Sequence, residues 1–376
     1  MINNGKKSEA PKKILAINFG GIGDEILFLP TLETIRSYAP NATITLLLEP
    51  RSRSVQELTD LVDQTVTFDI KKRPLAVSDL IDLLSLIKEG AYDCIVSSGS
   101  SPLVSALLFL SGVRERVGYG SSRLGAMLLT EPVPLVRKQY AACMYHDLAI
   151  GFLKQEGITP PAVNCEKLVP KVVLKADSLE RMTTFLNESG AAQRSADSQL
   201  LLLHPGTSRL ATEKGIIKTW STESWIELLQ MISKRNETKK PEHRDVVIIA
   251  GGPDDREIIE SIESKLDKQS PYVVSAYGKT KNISDLAALM YFSDLVVCVD
   301  SAPMHVAVGL TKPLVALFGP TDPALLLPKN PRFKAVWDAR GGTRSMFDGM
   351  GVHISAQDVF DCIYDAAGAE KTAITG

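Results

Sequence analysis

Three short segments of the sequence contain residues that can bind phosphate groups or move a proton. The first is the glycine loop GGIGD, which ends in Asp24. The second is HPGTS at 204–208, followed by KTW from Lys218, and the third is DSAPMH, which begins at Asp300. Backbone N–H groups and hydroxyls donate to phosphate oxygens, lysine adds positive charge, and a carboxylate can act as a general base. These residue types predict a site for a phosphorylated ligand.

The glycine loop lies between a predicted strand and a predicted helix. Gly21 and Gly23 follow the aliphatic run ILAINF and precede an amphipathic segment. In that order the loop presents backbone N–H groups at the carboxyl end of a parallel strand, where α/β folds bind ligands. A dinucleotide-binding loop needs a third glycine, and Ile26 stands at its position. This departure disfavours a nicotinamide-dependent oxidoreductase, which is kept as an alternative.

Asp24 has two interpretations. It can be the N-cap of the following helix, because its carboxylate would accept hydrogen bonds from free N–H groups. It can also be a general base at the edge of the sheet, although a carboxylate that accepts two such bonds is less basic. Pro30 lies inside the same helical pattern, so we expect the helix to kink or to begin there.

The second segment combines glycine, hydroxyls and a lysine after the strand-like run LLLL. This combination predicts a diphosphate site built from His204, Gly206, Thr207, Ser208 and Lys218. The alternative is purely structural. In that interpretation the two hydroxyls shape a turn, the lysine is solvated, and Trp220 belongs to the core.

The third segment predicts a helix start that faces the same ligand. Asp300 or Ser301 can cap this helix, Ala302 begins it, and its positive N-terminal end would attract an anion. His305, one turn into the helix, is either a ligand contact or a packing residue. The loops with Asp255 and Asp322 also follow strand-like runs, so four loops of the second half are expected at one sheet edge.

The elements that position these segments are short aliphatic runs without polar alternation. Such runs are typical of parallel strands covered by helices on both faces. They predict two successive α/β sheets, with strands in the first half at Ile14–Phe19, Thr43–Leu48, Val66–Phe68, Tyr92–Ser97 and Arg116–Tyr119, and in the second half at Gln199–Leu203, Asp245–Ala250, Tyr272–Ser275, Asp294–Val299, Leu314–Phe318 and Phe333–Trp337.

Length and composition agree with two α/β domains. The 376 residues exceed one typical hydrophobic core, and the formal net charge of -2 excludes a global basic field for binding nucleic acid. Five cysteines without a CxxC pair predict reduced thiols and a cytoplasmic location, and the polar N-terminus does not resemble a signal peptide. We predict domains at 1–175 and 176–350, and a C-terminal helix and tail at 351–376.

These segments together resemble glycosyltransferase family 9, the heptosyltransferase family of lipopolysaccharide core synthesis. The resemblance covers most of the chain and lies in GGIGDEILFLPTLETIR, in HPGTS with KTW, and in DSAPMHVAVGLTKPLVALFGPTDP. It implies a GT-B fold, in which two Rossmann-like parallel-sheet domains face each other across a cleft. The N-terminal domain would bind the acceptor and the C-terminal domain the sugar nucleotide.

The resemblance also implies roles for single residues. Asp24 would be the catalytic base and Lys218 would contact the donor phosphate. The remaining donor contacts would be Thr207 and Ser208 in the phosphate pocket, with Asp300, Ser301 and His305 holding the donor. Ala302 stands where the family usually has glycine, and Asp254 and Asp255 stand where a glutamate often holds the nucleoside.

The resemblance implies a reaction that inverts the configuration of the anomeric carbon and needs no metal. No cofactor is expected besides the nucleotide-sugar co-substrate, for which ADP-heptose is the expected example. The expected acceptor is a lipid-linked glycan. Peripheral contact with the inner membrane is suggested by basic residues of the first half, Arg51, Arg53, Lys71, Lys72, Arg73, Arg114, Arg116 and Arg123. A sugar-nucleotide epimerase of the same fold and a non-catalytic nucleotide-sugar-binding protein stay open as alternatives.

Overall fold

The computed structural model describes residues 11–70, 76–266, 272–338, 340, 343, 345 and 347–374, with side chains to residue 365. The chain divides into two compact units, Met1–Val163 and Asn164–Gly376. The domain limits expected from the sequence stay a prediction. Lys71, Lys72 and Arg73, which were named as basic residues of the first half, lie outside the described residues.

In the described part of the first unit, six parallel strands form one sheet. They are β1 (Lys13–Ile17), β2 (Thr43–Leu48), β3 (Gln64–Thr67), β4 (Cys94–Ser97), β5 (Glu115–Tyr119) and β6 (Glu131–Val133), in the order β3-β2-β1-β4-β5-β6. The five predicted strands are confirmed. The sequence did not predict β6, because it has three residues and contains Pro132, which cannot donate to a sheet.

The helices of the first unit connect these strands and bury apolar side chains against the sheet. They are α1 (Ile22–Tyr38), α2 (Val77–Gly90), α3 (Pro102–Leu110), α4 (Arg123–Met127) and α5 (Ala141–Gln155). Leu83 and Ile87 of α2 and Leu108 of α3 pack with Leu15 and Ile95 in one cluster, and α1 packs against α5. Because α1 starts at Ile22 and continues through Pro30, a helix start at that proline is wrong.

The described part of the second unit repeats this design. Its parallel strands are β7 (Leu200–His204), β8 (Val246–Ile249), β9 (Val273–Ser275), β10 (Leu295–Val299), β11 (Leu314–Phe318) and β12 (Phe333–Trp337), in the order β12-β11-β10-β7-β8-β9. The six strands predicted here are confirmed. The helices are α6 (Ala176–Glu188), α7 (Arg209–Glu213), α8 (Thr222–Glu237), α9 (Arg256–Lys265), α10 (Ile283–Phe292), α11 (Ala302–Gly309), α12 (Pro323–Leu326) and α13 (Ala356–Ile374).

Both sheets have the same strand order when each is counted from its own first strand, namely 3-2-1-4-5-6. The order reverses direction between β1 and β4 in the first unit and between β7 and β10 in the second. In open α/β sheets, ligands bind at this reversal, outside the carboxyl ends of the strands. The fold therefore places the glycine loop after β1, and the loops after β7 and β10, where a ligand is expected.

The state of the cysteines corrects one expectation. Cys143 and Cys165 are disulfide-bonded, whereas Cys94, Cys298 and Cys362 are free. Reduced thiols were expected at all five positions, because the isolated spacing of the cysteines does not reveal which of them the fold brings close enough to bond. Within the described residues, no helix is both long and apolar enough to cross a membrane.

Candidate functional site

In the first unit, the backbone of the glycine loop fixes the carboxylate of Asp24. Gly21 is the N-cap of α1, and its N–H donates to Asp24 Oδ2 at 2.8 Å. Asp24 is thus the third residue of the helix. Of its two interpretations, the one as N-cap is wrong, because Gly21 and not Asp24 has the extended backbone that precedes the first turn. Gly23 lies between them in the first turn.

The second carboxylate oxygen of Asp24 accepts a hydrogen bond from α5. The hydroxyl of Tyr145 donates to Asp24 Oδ1 at 3.1 Å, and the Tyr145 ring packs edge-on against Phe28 of α1, with 5.9 Å between ring centroids. Burial raises the pKa of Tyr145, and the negative charge of Asp24 raises it further. The phenol therefore stays protonated at neutral pH and remains a donor.

The glycine loop is also held by polar residues at the carboxyl ends of β1 and β4. Asn18 donates through Nδ2 to the backbone oxygen of Asp24 at 3.3 Å, and Ser98 donates through Oγ to Asn18 Oδ1 at 2.6 Å. A Cβ on Gly20 would lie 2.2 Å from the Cβ of Asp24, so the approach of loop and helix requires glycine there. Asp24 consequently lies at the strand-order reversal of the first sheet.

Sequence reasoning missed Asn18 and Tyr145. Asn18 had a usable signal, since it is a polar residue at the end of an apolar strand directly before the glycine loop. Tyr145 had none, because it lies on an ordinary amphipathic helix that only the packing of α1 against α5 brings to Asp24.

In the second unit, Lys218 and Asp300 form an ion pair. Lys218 Nζ donates to Asp300 Oδ2 at 2.6 Å, and the Asp300 side chain is almost completely buried while that of Lys218 is partly exposed. Asp300 directly follows β10 at the strand-order reversal of the second sheet. The structure therefore brings together two residues that the sequence analysis had placed in separate motifs, and it places an ammonium group at the expected ligand position.

In the same unit, the loop after β7 packs closely on the loop after β8. A Cβ on Gly206 would lie 1.8 Å from Asp255 Oδ1, so glycine is required at this position. The Asp255 carboxylate accepts the Gly252 N–H at 2.8 Å and lies 3.7 Å from His204 Nε2. Burial lowers the pKa of His204, against the opposing charge of Asp255, and the imidazole is therefore neutral at pH 7.

The same burial raises the pKa of Asp255, which the nearby His204 partly opposes. At a separation of 3.7 Å, and with a neutral imidazole, His204 and Asp255 do not form a strong ion pair. Arg209 extends the link between the two loops, because its backbone N–H donates to Asp254 Oδ2 at 3.2 Å.

The remaining candidate residues line the starts of two helices. Ser208, which is exposed, is the N-cap of α7, and Thr207 before it is half-buried. Ser301 is the N-cap of α11, and its hydroxyl donates to the Val299 oxygen at 3.3 Å. Ala302 is the first residue of this helix.

Two ring side chains of the second-unit motifs, those of His305 and Trp220, are buried. His305 lies inside α11 with 5% of its surface exposed. Trp220 packs against Trp225 of α8 with 4.9 Å between ring centroids, and its Nε1 donates to the Ile354 oxygen. Trp220 is therefore a core residue, as the structural alternative expected, whereas Lys218 is not the solvated lysine of that alternative.

The two sheets and their loops define a class of protein. Each unit has the Rossmann strand order, one with a hydrogen-bonded carboxylate at the reversal and the other with a lysine and the N-terminal end of α11. A lysine and a helix N-terminus suit phosphate, and a carboxylate suits proton transfer. This set of groups defines an α/β protein whose loops are suited to a phosphorylated ligand.

Comparison with known proteins makes the class specific. The model of glycosyltransferase family 9 (heptosyltransferase) matches residues 81–347, more than half of the chain. The chain therefore belongs to glycosyltransferase family 9. The lipopolysaccharide heptosyltransferase 3 of Escherichia coli is 24% identical over 310 residues, which cover 80% of this chain and 81% of that protein.

Solved structures show the same fold. The glycosyl transferase family 9 structure from Veillonella parvula has a TM-score of 0.71 at 22% identity, covering 94% of this chain and 97% of that one. The ADP-heptose lps heptosyltransferase II of E. coli has a TM-score of 0.68 at 20% identity, covering 96% and 99%. The predicted α/β fold of GT-B type is confirmed, and the protein is a glycosyltransferase rather than a nicotinamide-dependent oxidoreductase.

Proposed function

We propose that this glycosyltransferase moves a heptose-like sugar from a nucleoside diphosphate to a lipopolysaccharide or related cell-envelope glycan, with inversion and without a metal. The observation that carries the proposal is the Lys218–Asp300 pair at the strand-order reversal of the second sheet. It is supported by the relatives of this chain, which are lipopolysaccharide heptosyltransferases. The name of one of them includes ADP-heptose, which makes ADP-heptose the first donor to test.

The donor side of the proposal assigns the diphosphate to the second unit. Lys218 would exchange its bond to Asp300 for one to a phosphate oxygen, while the Thr207 and Ser208 loop and the N-terminal end of α11 would supply further donors. Ser301 and His305 would hold the donor from α11, with Gly206 and Asp255 shaping the neighbouring wall. The side chain of Ala302 would limit how closely the backbone at the start of α11 can approach the donor.

The mechanism follows from where charge develops. As the bond between the sugar and the diphosphate breaks, positive charge grows on the sugar ring and negative charge on the leaving phosphate. Lys218 and the dipole of α11 would stabilise that negative charge, which is the role that a metal ion has in other phosphate sites. The proposal therefore needs no metal for the departure of the nucleotide.

The acceptor side of the proposal assigns proton transfer to Asp24. Its carboxylate would accept the proton of the attacking hydroxyl, a step worth about 10²–10⁴-fold in rate. Because Asp24 would act as a base and not as a nucleophile, the hydroxyl attacks the anomeric carbon directly. One direct displacement inverts the configuration of that carbon.

The decisive experiment replaces Asp24. The Asp24→Asn variant should bind ADP-heptose as the wild type does but lose most of the transfer rate, because an amide cannot accept the proton. Asp82→Asn, which changes an exposed carboxylate on α2, is the matched control and should transfer normally. Unaltered turnover by Asp24→Asn would remove Asp24 as the base.

Three further measurements test the other parts of the proposal. A thermal-shift screen with ADP-, GDP-, UDP- and dTDP-sugars should show stabilisation by the ADP-sugar, about 2.7 kcal/mol at 100 times the dissociation constant. Nuclear magnetic resonance of the product should show an inverted anomeric centre. Transfer should continue after dialysis against EDTA, and a rate that falls and returns with added Mg²⁺ would contradict the proposal.

The proposal places the protein in the cytoplasm, at the inner face of the plasma membrane, because its expected acceptor is a lipid-linked glycan. Arg51 and Arg53, which follow β2, are exposed and would suit a phosphorylated acceptor. A donor and this acceptor are the expected partners, and nucleic acid is not.

A further inference from the structure

The solvent-facing side of α3 is apolar. Leu103 and Leu110 are 61% and 60% exposed, and Leu107 is half-buried between them at helical spacing, whereas Ser105 and Leu108 point into the unit. The helix contains no charged residue. A surface helix normally exposes polar side chains to water and buries its apolar face. The exposed apolar side chains of α3 are therefore unusual for a surface in contact only with water.

Helix α4 continues this surface. Leu124 and Met127 are 67% and 81% exposed, and Gly125 packs on α3, where an added Cβ would lie 3.2 Å from Ser105 Oγ. The two helices also start together, because the hydroxyl of Ser121 donates to the Ser100 oxygen. We use the name "leucine surface" for the exposed apolar side chains of the two helices, Leu103, Phe109, Leu110, Leu124 and Met127.

Basic residues stand next to the two helices of the leucine surface in the sequence. Arg114, Arg123, Arg137 and Lys138 are exposed, and Arg137 reaches the loop before α3, where its Nη2 lies 3.4 Å from Ser100 Oγ. In the sequence from 98 to 140 the acidic residues are Glu115 and Glu131, and Glu115 accepts a hydrogen bond from Lys12. The surface thus combines apolar side chains with net positive charge.

This combination selects one occupant. A bilayer with anionic lipids offers negative headgroups to the arginines and an acyl region to the leucines, which is the pairing that interfacial helices use. A second copy of the chain would bring the same arginines face to face, and like charges repel. We propose that the leucine surface docks on an anionic lipid bilayer.

The position of the leucine surface connects it to the candidate base. Ser98, in the loop that leads to α3, donates to Asn18, which in turn donates to the backbone of Asp24. The starts of α3 and α4 therefore lie at the same edge of the sheet as Asp24. A bilayer bound there would present lipid-linked hydroxyls to Asp24, and in this respect the inference rests on the proposed function.

Vesicle flotation tests the surface directly. The purified full chain is mixed with vesicles of phosphatidylethanolamine and phosphatidylglycerol, or of phosphatidylcholine alone, at low and high salt. We expect binding to the anionic vesicles, weakened by salt, and little binding to phosphatidylcholine. A protein that stays unbound at low salt on the anionic vesicles overturns the inference.

Three variants locate the contact. Leu103→Glu/Leu110→Glu and Arg123→Glu/Arg137→Glu should each weaken binding to the anionic vesicles by about ten-fold or more, because they remove apolar contact or reverse charge. Tyr291→Glu, on α10 of the second unit, changes a side chain that is 50% exposed and should bind as the wild type does. Because all the altered side chains are exposed, each variant should fold as the wild type does. Thermal unfolding checks this. Equal binding by all variants overturns the inference.

Two controls separate this inference from its competitors. Transfer to a delipidated acceptor glycan should be the same for the wild type and the leucine variant. If the wild type does not transfer to any acceptor but still needs the leucine surface to bind vesicles, the proposed function fails and the docking surface stands. If the leucine variant instead changes a dimer to a monomer in analytical ultracentrifugation and binds vesicles normally, the surface is an interface between copies and the inference is wrong.

Discussion

The hydroxyl of Tyr145 donates to Oδ1 of Asp24 across 121 positions of sequence, while the backbone N–H of Gly21 donates to the other oxygen of the same carboxylate. The carboxylate is thus held in one orientation by two elements, the start of α1 and the second turn of α5. As the proposed base, Asp24 would not need to be ordered when the acceptor arrives, and a small displacement of a reacting group can cost much of the rate.

Tyr145→Phe should lower kcat by about 3- to 10-fold, because it removes one hydrogen bond worth about 1 kcal/mol and leaves Asp24 less constrained. The dissociation constant for the donor should not change. Steady-state kinetics and calorimetry measure the two quantities. Tyr140→Phe is the matched control, since Tyr140 is also buried at the start of α5 and its hydroxyl has no hydrogen-bond partner among the described residues. A Tyr145→Phe enzyme with wild-type kcat would show that the bond has no role in turnover.

Lys218→Ala should weaken the binding of ADP by about 10- to 100-fold, because it removes a charge-assisted bond and leaves the buried carboxylate of Asp300 facing the phosphates. The double variant Lys218→Ala/Asp300→Asn should recover part of this loss, since both charges are gone. Calorimetry with ADP and with adenosine checks the prediction, and adenosine should bind equally to all forms. Lys214→Ala, at an exposed lysine four residues earlier, serves as control. Equal losses for ADP and adenosine would contradict a phosphate contact.

Gly206→Ala should destabilise the second unit by about 1–3 kcal/mol and abolish donor binding, because the new methyl group would displace Asp255. Gly252→Ala, in the neighbouring loop, should be tolerated, since its Cβ would lie 3.9 Å from Asp255 Oδ2, an ordinary contact. Thermal unfolding and ADP titration compare the two variants. Similar behaviour of both would mean that the loops yield more easily than this packing implies.

The parts of the fold that could be predicted from the sequence are those with a local signal. The LLLL and VVIIA runs became β7 and β8 because a strand covered on both faces needs uninterrupted aliphatic side chains. The short strand β6 was missed because three residues around a proline give no such run.

The candidate site follows the same division. Asp24, Lys218 and Asp300 could be singled out because they stand in dense motifs next to predicted strand ends. The bonds between them and their neighbours could not be predicted. The contact of Asp24 with Tyr145 and that of Gly206 with Asp255 join residues far apart in the sequence, and only the packing of helices and loops brings them together.

A pH-dependent contribution to stability is expected at Asp285, which is buried on α10 and contacts α6. Burial alone would raise the pKa of Asp285, but hydrogen bonds from Arg181, at 2.7 Å, and from the Lys281 N–H hold it below its usual range. A lowered pKa in the folded state stabilises the protein above the ordinary pKa of about 3.9, and that contribution is lost as the pH falls through the lower value.

Asp285→Asn should therefore lower the free energy of unfolding by about 1–3 kcal/mol at pH 7, and the difference from wild type should shrink below about pH 4. Denaturant unfolding at several pH values measures it. Asp177→Asn removes the carboxylate of Asp177, which also pairs with Arg181, but this carboxylate is exposed, so the control should be nearly neutral. A difference that is constant from pH 7 to pH 3 would assign the effect to packing instead of charge.

The ion pair of Lys218 with Asp300 also bears on which ions can compete for the site in a cell. The Asp300 carboxylate already neutralises the ammonium group of Lys218. Any anion that binds this lysine must therefore displace the carboxylate. Chloride and other monovalent ions interact with the lysine less strongly than the Asp300 carboxylate already does. A diphosphate brings several oxygens at once and can bind the backbone donors of α11 in the same step. In the proposed donor site, the Asp300 carboxylate would therefore favour the binding of polyvalent anions over that of the abundant small ones.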